Sequence, residues 1–181
     1  MTDDHGLITA LRFDAGSLAL NLVATVGRRF ADPVERLHSR ERLAQWLAAM
    51  GFGADVVDDD VACVRRLREH LHELFRAAVD EAPLPAAALA AVNAAVAASP
   101  PQLTSDGGAR GPLDSILALI AADAMRILAG GERDRLRACA AGDCRMVYLA
   151  RGRRERRWCS SAHCGNRVRV AAHRARQGET A

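Results

Sequence analysis

Four cysteines in the last quarter of the chain, Cys139, Cys144, Cys159 and Cys164, form two pairs, with four residues inside each pair and fourteen between the pairs. Thiolates spaced in this way can converge on one tetrahedral Zn²⁺, and the short loop inside each pair lowers the entropy lost in assembling the ligands. No other feature restricts the path of the backbone as tightly. Basic residues crowd the same stretch. Residues 132–181 hold 13 Arg against 5 acidic residues, while 12 Arg and 17 acidic residues precede them, so the two parts carry +8 and −5. The chain has no lysine, which explains Arg in place of Lys but not the clustering. A metal-organised cationic surface points to polyanions.

With 50% hydrophobic residues, 4% aromatics and many alanines, the chain of 181 residues is suited to closely packed helices filled with Leu, Val and Ala. The expected fold class is mainly α, with a short β segment near the N-terminus and a C-terminal treble-clef-like zinc finger. The run from Leu11 to Gly27 reads as one or two short strands. Asp32 as N-cap, Pro33 after it and Glu35 three residues on predict a helix running to Gly51, with Leu37, Leu43, Trp46, Leu47 and Met50 on its buried face. A longer helix follows from Val57 to Glu81, its first turn carrying Asp58, Asp59 and Asp60 at the positive end of the macrodipole. An alanine-rich helix spans Ala86 to Ala98 between proline pairs, and an apolar helix spans Leu113 to Leu128. The glycines at 130 and 131 divide the chain into a helical regulatory or dimerising domain, 1–131, and a basic zinc-binding domain, 132–181. In the second, a short charged helix covers Glu132 to Arg137. Arg145–Ala150 and Arg156–Cys159 are expected to pair across the Arg151–Glu155 turn, and the chain after Cys159 is expected to be helical through Arg176.

No stretch approaches the roughly 18 to 20 apolar residues needed to span a bilayer. The N-terminus, with Asp3 and Asp4, does not read as a signal peptide. The expectation is therefore a cytoplasmic protein with no membrane partner, in a compartment where paired cysteines bind metal rather than form disulfides. Cys63 lies in the helical pattern of Val61, Val64, Leu67, Leu71 and Leu74, and reads as a small buried side chain. His70 and His72 lie two apart on one helix and point to different sides, without metalloprotease spacing. His163 is adjacent to Cys164, and four thiolates already complete a shell. No nucleophile and base constellation is present, so the chain is not expected to be an enzyme.

The segment Trp158-Cys159-Ser160-Ser161-Ala162-His163-Cys164-Gly165-Asn166-Arg167 resembles the signature of the CGNR zinc-finger family, whose name is its last four residues as they stand here. In that family the finger follows an ABATE domain, and the proteins are described as stress-induced transcription regulators. Upstream, Leu20-Asn21-Leu22-Val23-Ala24-Thr25 resembles the family's early segment ending in Asn-Thr, with Ala24 in the place of that Asn. The resemblance implies that the four cysteines hold Zn²⁺ and that basic residues around them meet DNA. The candidate nucleic-acid contacts are Arg151, Arg153, Arg154, Arg156, Arg157, Arg167, Arg169, Arg174 and Arg176. On a helix, 167 and 174 share one face and 169 and 176 another. Asn166 reads as a local hydrogen-bonding residue or a base reader, and Trp158 and Tyr148 as packing or stacking residues. The helical body would sense a small-molecule ligand or form a homodimer. An alternative is a zinc-stabilised protein-interaction or RNA-binding module without sequence-specific DNA recognition.

Overall fold

The computed structural model describes residues 9–150 and 156–178. Among these, six α-helices dominate: α1 Leu18–Val23, α2 Arg40–Ala49, α3 Asp58–Val79, α4 Ala86–Val96, α5 Leu113–Ala129 and α6 Asn166–Gly178. Seven short strands punctuate them: β1 Val26–Gly27, β2 Val34–Glu35, β3 Phe52–Gly53, β4 Gln102–Leu103, β5 Ala109–Arg110, β6 Leu136–Ala138 and β7 Val147–Leu149. β1 pairs antiparallel with β2, and β6 with β7; β5 lies between antiparallel β4 and parallel β3. No described helix is long and apolar enough to cross a membrane.

The mainly helical architecture is as expected, but its centre is not. The run expected as strand forms the short helix α1 instead, and Ala19, Leu20, Asn21, Leu22 and Val23 are all buried. A helix so short satisfies its first amides with outside groups. Ser17 Oγ accepts from Leu20 N at 3.2 Å, and Asp123 of α5 accepts from Ala19 N at 2.9 Å. Packing against α3, α5 and β7 on several sides removes the one-sided hydrophobic periodicity by which a surface helix is recognised.

Asp32 does not start a helix either. Glu35 is drawn away from any capping position by Arg68 of α3, whose guanidinium donates to both carboxylate oxygens at 2.7 Å. The segment consequently runs as β2, and α2 begins later, with Ser39 Oγ accepting from Arg42 N. Leu43, Trp46 and Leu47 still face the core as expected, and Leu37 is buried ahead of the helix. α3 is the longest helix and starts where three aspartates predict, with Asp60 accepting from Val57 N at 2.8 Å. α4 and α5 lie between their prolines and glycines as read from sequence.

Beyond Gly131 the charged segment is a 3-10 turn, Arg133–Arg135, leading into β6. The expected hairpin is replaced by a different one. Val147–Leu149 pairs with Leu136–Ala138, so the turn of the hairpin is the first cysteine loop itself, and Arg157 joins only through its carbonyl, which accepts from Ala140 N at 2.8 Å. The expected turn at 151–155 lies outside the described residues.

One continuous apolar core runs through both parts of the chain. Buried residues of α1, α3 and α5 belong to the same cluster as Met146, Val147, Tyr148, Leu149 and the four cysteines. The seam is held by Leu149 N donating to Ala15 O at 2.8 Å. Beside it Gly16 has φ +106°, and a Cβ there would come within 2.8 Å of Leu149 Cβ, so only glycine lets the backbone pass.

Arg68 is buried and also donates to Glu69, while Glu69 accepts from Arg29 at 2.6 Å. Burial works to raise the Glu35 carboxyl, but the hydrogen bonds and charge of Arg68 outweigh it and hold Glu35 below the usual carboxylate range. Glu69 is held low against burial by Arg29 and Arg68. His72, on the same stretch of α3, is driven from 6.5 down to about 4, first by burial and then by the charge of Arg29. Between those values the unfolded chain binds a proton that the folded chain refuses, so stability is full above pH 6.5 and falls as the pH drops toward 4. Glu35 and Glu69, whose carboxyls are lowered, add their own loss below 4.5. Urea unfolding across this range is expected to show the decline, and His72→Gln should flatten its upper part. An unchanged slope in that variant would assign the loss to other groups.

Candidate metal centre

Local hydrogen bonds build two turns that present the four sulfurs. β6 ends at Cys139, whose N–H donates to Met146 O at 2.9 Å, and the loop between them folds back through Cys144 N and Arg145 N, which both donate to Ala141 O at 3.0 Å. The second turn opens at Cys159. Ser160 Oγ accepts from His163 N at 3.3 Å, Gly165 N donates to Ser160 O at 3.0 Å, and the turn runs directly into α6. Gly165 sits in a close approach: a Cβ would lie 3.3 Å from both Trp158 and the Arg169 guanidinium, so a side chain there would have to displace one of them slightly.

Cys139, Cys144, Cys159 and Cys164 are buried, and their sulfurs all lie within 4.8 Å of one another. The Cys144–Cys159 and Cys159–Cys164 separations are 3.8 and 3.5 Å. A tetrahedron with metal–sulfur bonds of about 2.3 Å has edges of about 3.8 Å, so the donor set fits a single metal ion with all four positions filled by protein. As thiols the four oppose one another. Hydrogen bonding within the cluster, chiefly from Cys139, together with burial pushes Cys144 and Cys164 well above the ordinary thiol range. A bound cation removes that conflict by holding the sulfurs as thiolates.

Arginines surround the sulfurs. Arg12, 147 residues before Cys159, donates to its Sγ at 3.3 Å and to its carbonyl at 3.4 Å, while Asp14 accepts from the same guanidinium at 2.8 and 3.0 Å. Burial acts against the Arg12 charge, but Asp14 and Cys159 more than offset it and hold the guanidinium above its ordinary value. Arg167 lies 3.7 Å from Cys164 Sγ and donates to Asp143 at 2.7 Å. Sequence reasoning missed Arg12. Its only signal is an arginine in an apolar stretch beside Asp14, which identifies no partner.

The nine candidate nucleic-acid residues fall into distinct places. Arg151, Arg153 and Arg154 lie outside the described residues. Arg156 is tied into the fold: its guanidinium covers the Tyr148 ring at 4.3 Å and donates to Asp14 O at 3.1 Å, while the buried Tyr148 hydroxyl donates to the Arg156 carbonyl. Arg157 is exposed over Trp158. On α6, Arg167 and Arg174 line a cleft against the body, with Asn166 exposed beside them. Arg169 and Arg176 are exposed, and Arg169 lies outside that lining. The two-faced helix read from sequence is therefore present, with one face turned inward. His163 joins the lining of the cleft and is not among the clustered donors, Trp158 is half-buried against the core, and Cys63 is likewise only partly buried.

Cys159→Ser should abolish tight metal binding, measured as metal per chain after gel filtration. Arg12→Gln should keep the ion but release it to a chelator on the order of 10- to 100-fold more readily, the usual cost of losing a hydrogen bond to a ligand. Unchanged release would reduce Arg12 to a packing residue.

A family model named ABATE, described as "Putative stress-induced transcription regulator", matches residues 16–131, and a model of the CGNR zinc finger matches residues 135–177. Comparison with curated proteins gives no match.

Proposed function

Since the chain belongs to the ABATE family and carries a CGNR zinc finger after that domain, we propose that it is a zinc-dependent DNA-binding regulator of transcription. The observation that carries this reading is the exposed arginine set around a closed, all-sulfur metal site. Four thiolates favour Zn²⁺ among common divalent ions and leave no open position for substrate, so the ion serves folding and the chain acts by binding rather than by catalysis. A cysteine turn on a short hairpin, followed by a helix that begins at the last ligand, supports a treble-clef description of residues 132–181. The helical part, 1–131, then acts as the regulatory or dimerising unit, and the whole works in the cytoplasm.

DNA affinity would come mainly from Arg contacts to phosphate, with Arg157, Arg169 and Arg176 exposed and Arg151, Arg153 and Arg154 close to Arg157 in sequence. Each neutralised phosphate contributes about 0.9 to the slope of log affinity against log salt. Fluorescence anisotropy with mixed duplex DNA should therefore show strongly salt-dependent binding that is lost when a chelator removes the metal. Arg169→Gln with Arg176→Gln should make the slope shallower by about 2. Binding indifferent to both treatments would overturn the reading, and preference for RNA or for a protein partner would favour the interaction-module alternative.

A further inference from the structure

Between the finger helix and the body lies a cleft of about 560 Å³ that DNA binding leaves unexplained. Five arginines line it: Arg12 and Arg36 at its base, both under a tenth exposed, Arg28 beside β1, and Arg167 and Arg174 from α6. No carboxylate belongs to its lining among the described residues, but Cys144 and Cys164 do, so the cleft opens beside the metal centre. Asp143 sits at the edge, 2.7 Å from Arg167 and 3.5 Å from Arg28. Arg174 makes no ion pair among the described residues. The base is shaped for a guanidinium. Arg36 packs against Gly27, where a Cβ would lie 2.6 Å from both terminal nitrogens, and Arg36 also donates to Ala24 O at 3.2 Å. Met146, Val170 and Ala171 add an apolar strip to the wall.

Arg12, Arg28 and Arg167 already meet Asp14, Asp32, Asp143 or a cysteine sulfur, but Arg174 faces the cleft without an acidic partner among the described residues, and the flat donor forks of Arg28 and Arg174 match phosphate oxygens in pairs. We propose that this cleft binds a small phosphorylated organic ligand of about nucleoside-diphosphate size, its phosphates on the arginines and its organic part against Met146 and Val170. The volume lies within the range of small-molecule pockets. Arg12 and Arg36, more than nine-tenths buried at the base of the cleft, lie beyond the reach of phosphates on the outside of a DNA duplex. Because the cations come from both β1–β2 and α6, an occupant bridges the body and the finger. This is a binding site separate from the outward arginines, and it does not depend on the DNA reading.

The test is calorimetric titration of the metal-loaded full chain with inorganic pyrophosphate and with ADP, without DNA, against sulfate at matched ionic strength. One saturable site for pyrophosphate, tighter binding of ADP and none of comparable strength for sulfate is the expected result. Arg174→Gln and Arg28→Gln should each weaken pyrophosphate binding at least tenfold at unchanged metal content, while Arg169→Gln, outside the cleft, should leave it unaltered. Absence of saturable binding would overturn the proposal. So would equal weakening in all three variants, which would mark a diffuse surface-charge effect. Loss of DNA binding alone would touch only the preceding reading.

Discussion

A buried metal ion held by four thiolates carries a formal charge of about −2, and a charge of that kind inside a protein must be met by nearby donors. Arg12 meets it from the far end of the chain, hydrogen-bonded to Cys159 while Asp14 holds its other edge. Arg167 does the same from the near side, between Cys164 and Asp143. The metal site is therefore completed by the body and is not a self-contained appendage. Cys159 and Arg12 are joined by a charge-assisted contact, and the backbone around each is pinned to the other part by Leu149–Ala15 and Arg156–Asp14.

That coupling shapes the core. Small independent fingers compensate for a slight core with the metal alone, but here Val147, Tyr148 and Leu149 pack into the same cluster as α1 and α3. Gly16 makes the close passage between them sterically feasible. A second charged centre, Arg68 with Glu35 and Glu69, fixes the β1–β2 region to α3 and so sets where Arg28 and Arg36 stand relative to the finger. The two centres together define the cationic cleft.

Much of this was legible in the residues. The ligand quartet, the long helix α3, the two helices set off by proline and glycine, and the helix after Cys159 all follow from local rules, because spacing, capping and chain breakers act within a few residues. The misreadings share one cause. Asp32 and Glu35 carry a good capping pattern, but Glu35 gains two hydrogen bonds from a buried arginine 33 residues away, which outweighs a cap worth about 1 kcal/mol. α1 lacks an amphipathic period because it is buried on nearly every side. The hairpin was assigned to the wrong partner because Leu136–Ala138 reads locally as part of a charged helix, whereas its pairing with Val147–Leu149 is closed by the cysteine loop, with Cys139 N donating to Met146 O.

The sequence by itself determined which four sulfurs can meet at a metal site, the mainly helical architecture and the concentration of positive charge around that site, since each depends on residue type and short-range spacing. Tertiary structure alone decided that Arg12 supports Cys159, that Arg156 is absorbed by Tyr148 and Asp14, and that one face of α6 is turned toward the body. Those outcomes depend on contacts between residues up to 147 positions apart, where a side chain's partner is chosen by the packing of whole elements and not by its neighbours in the chain.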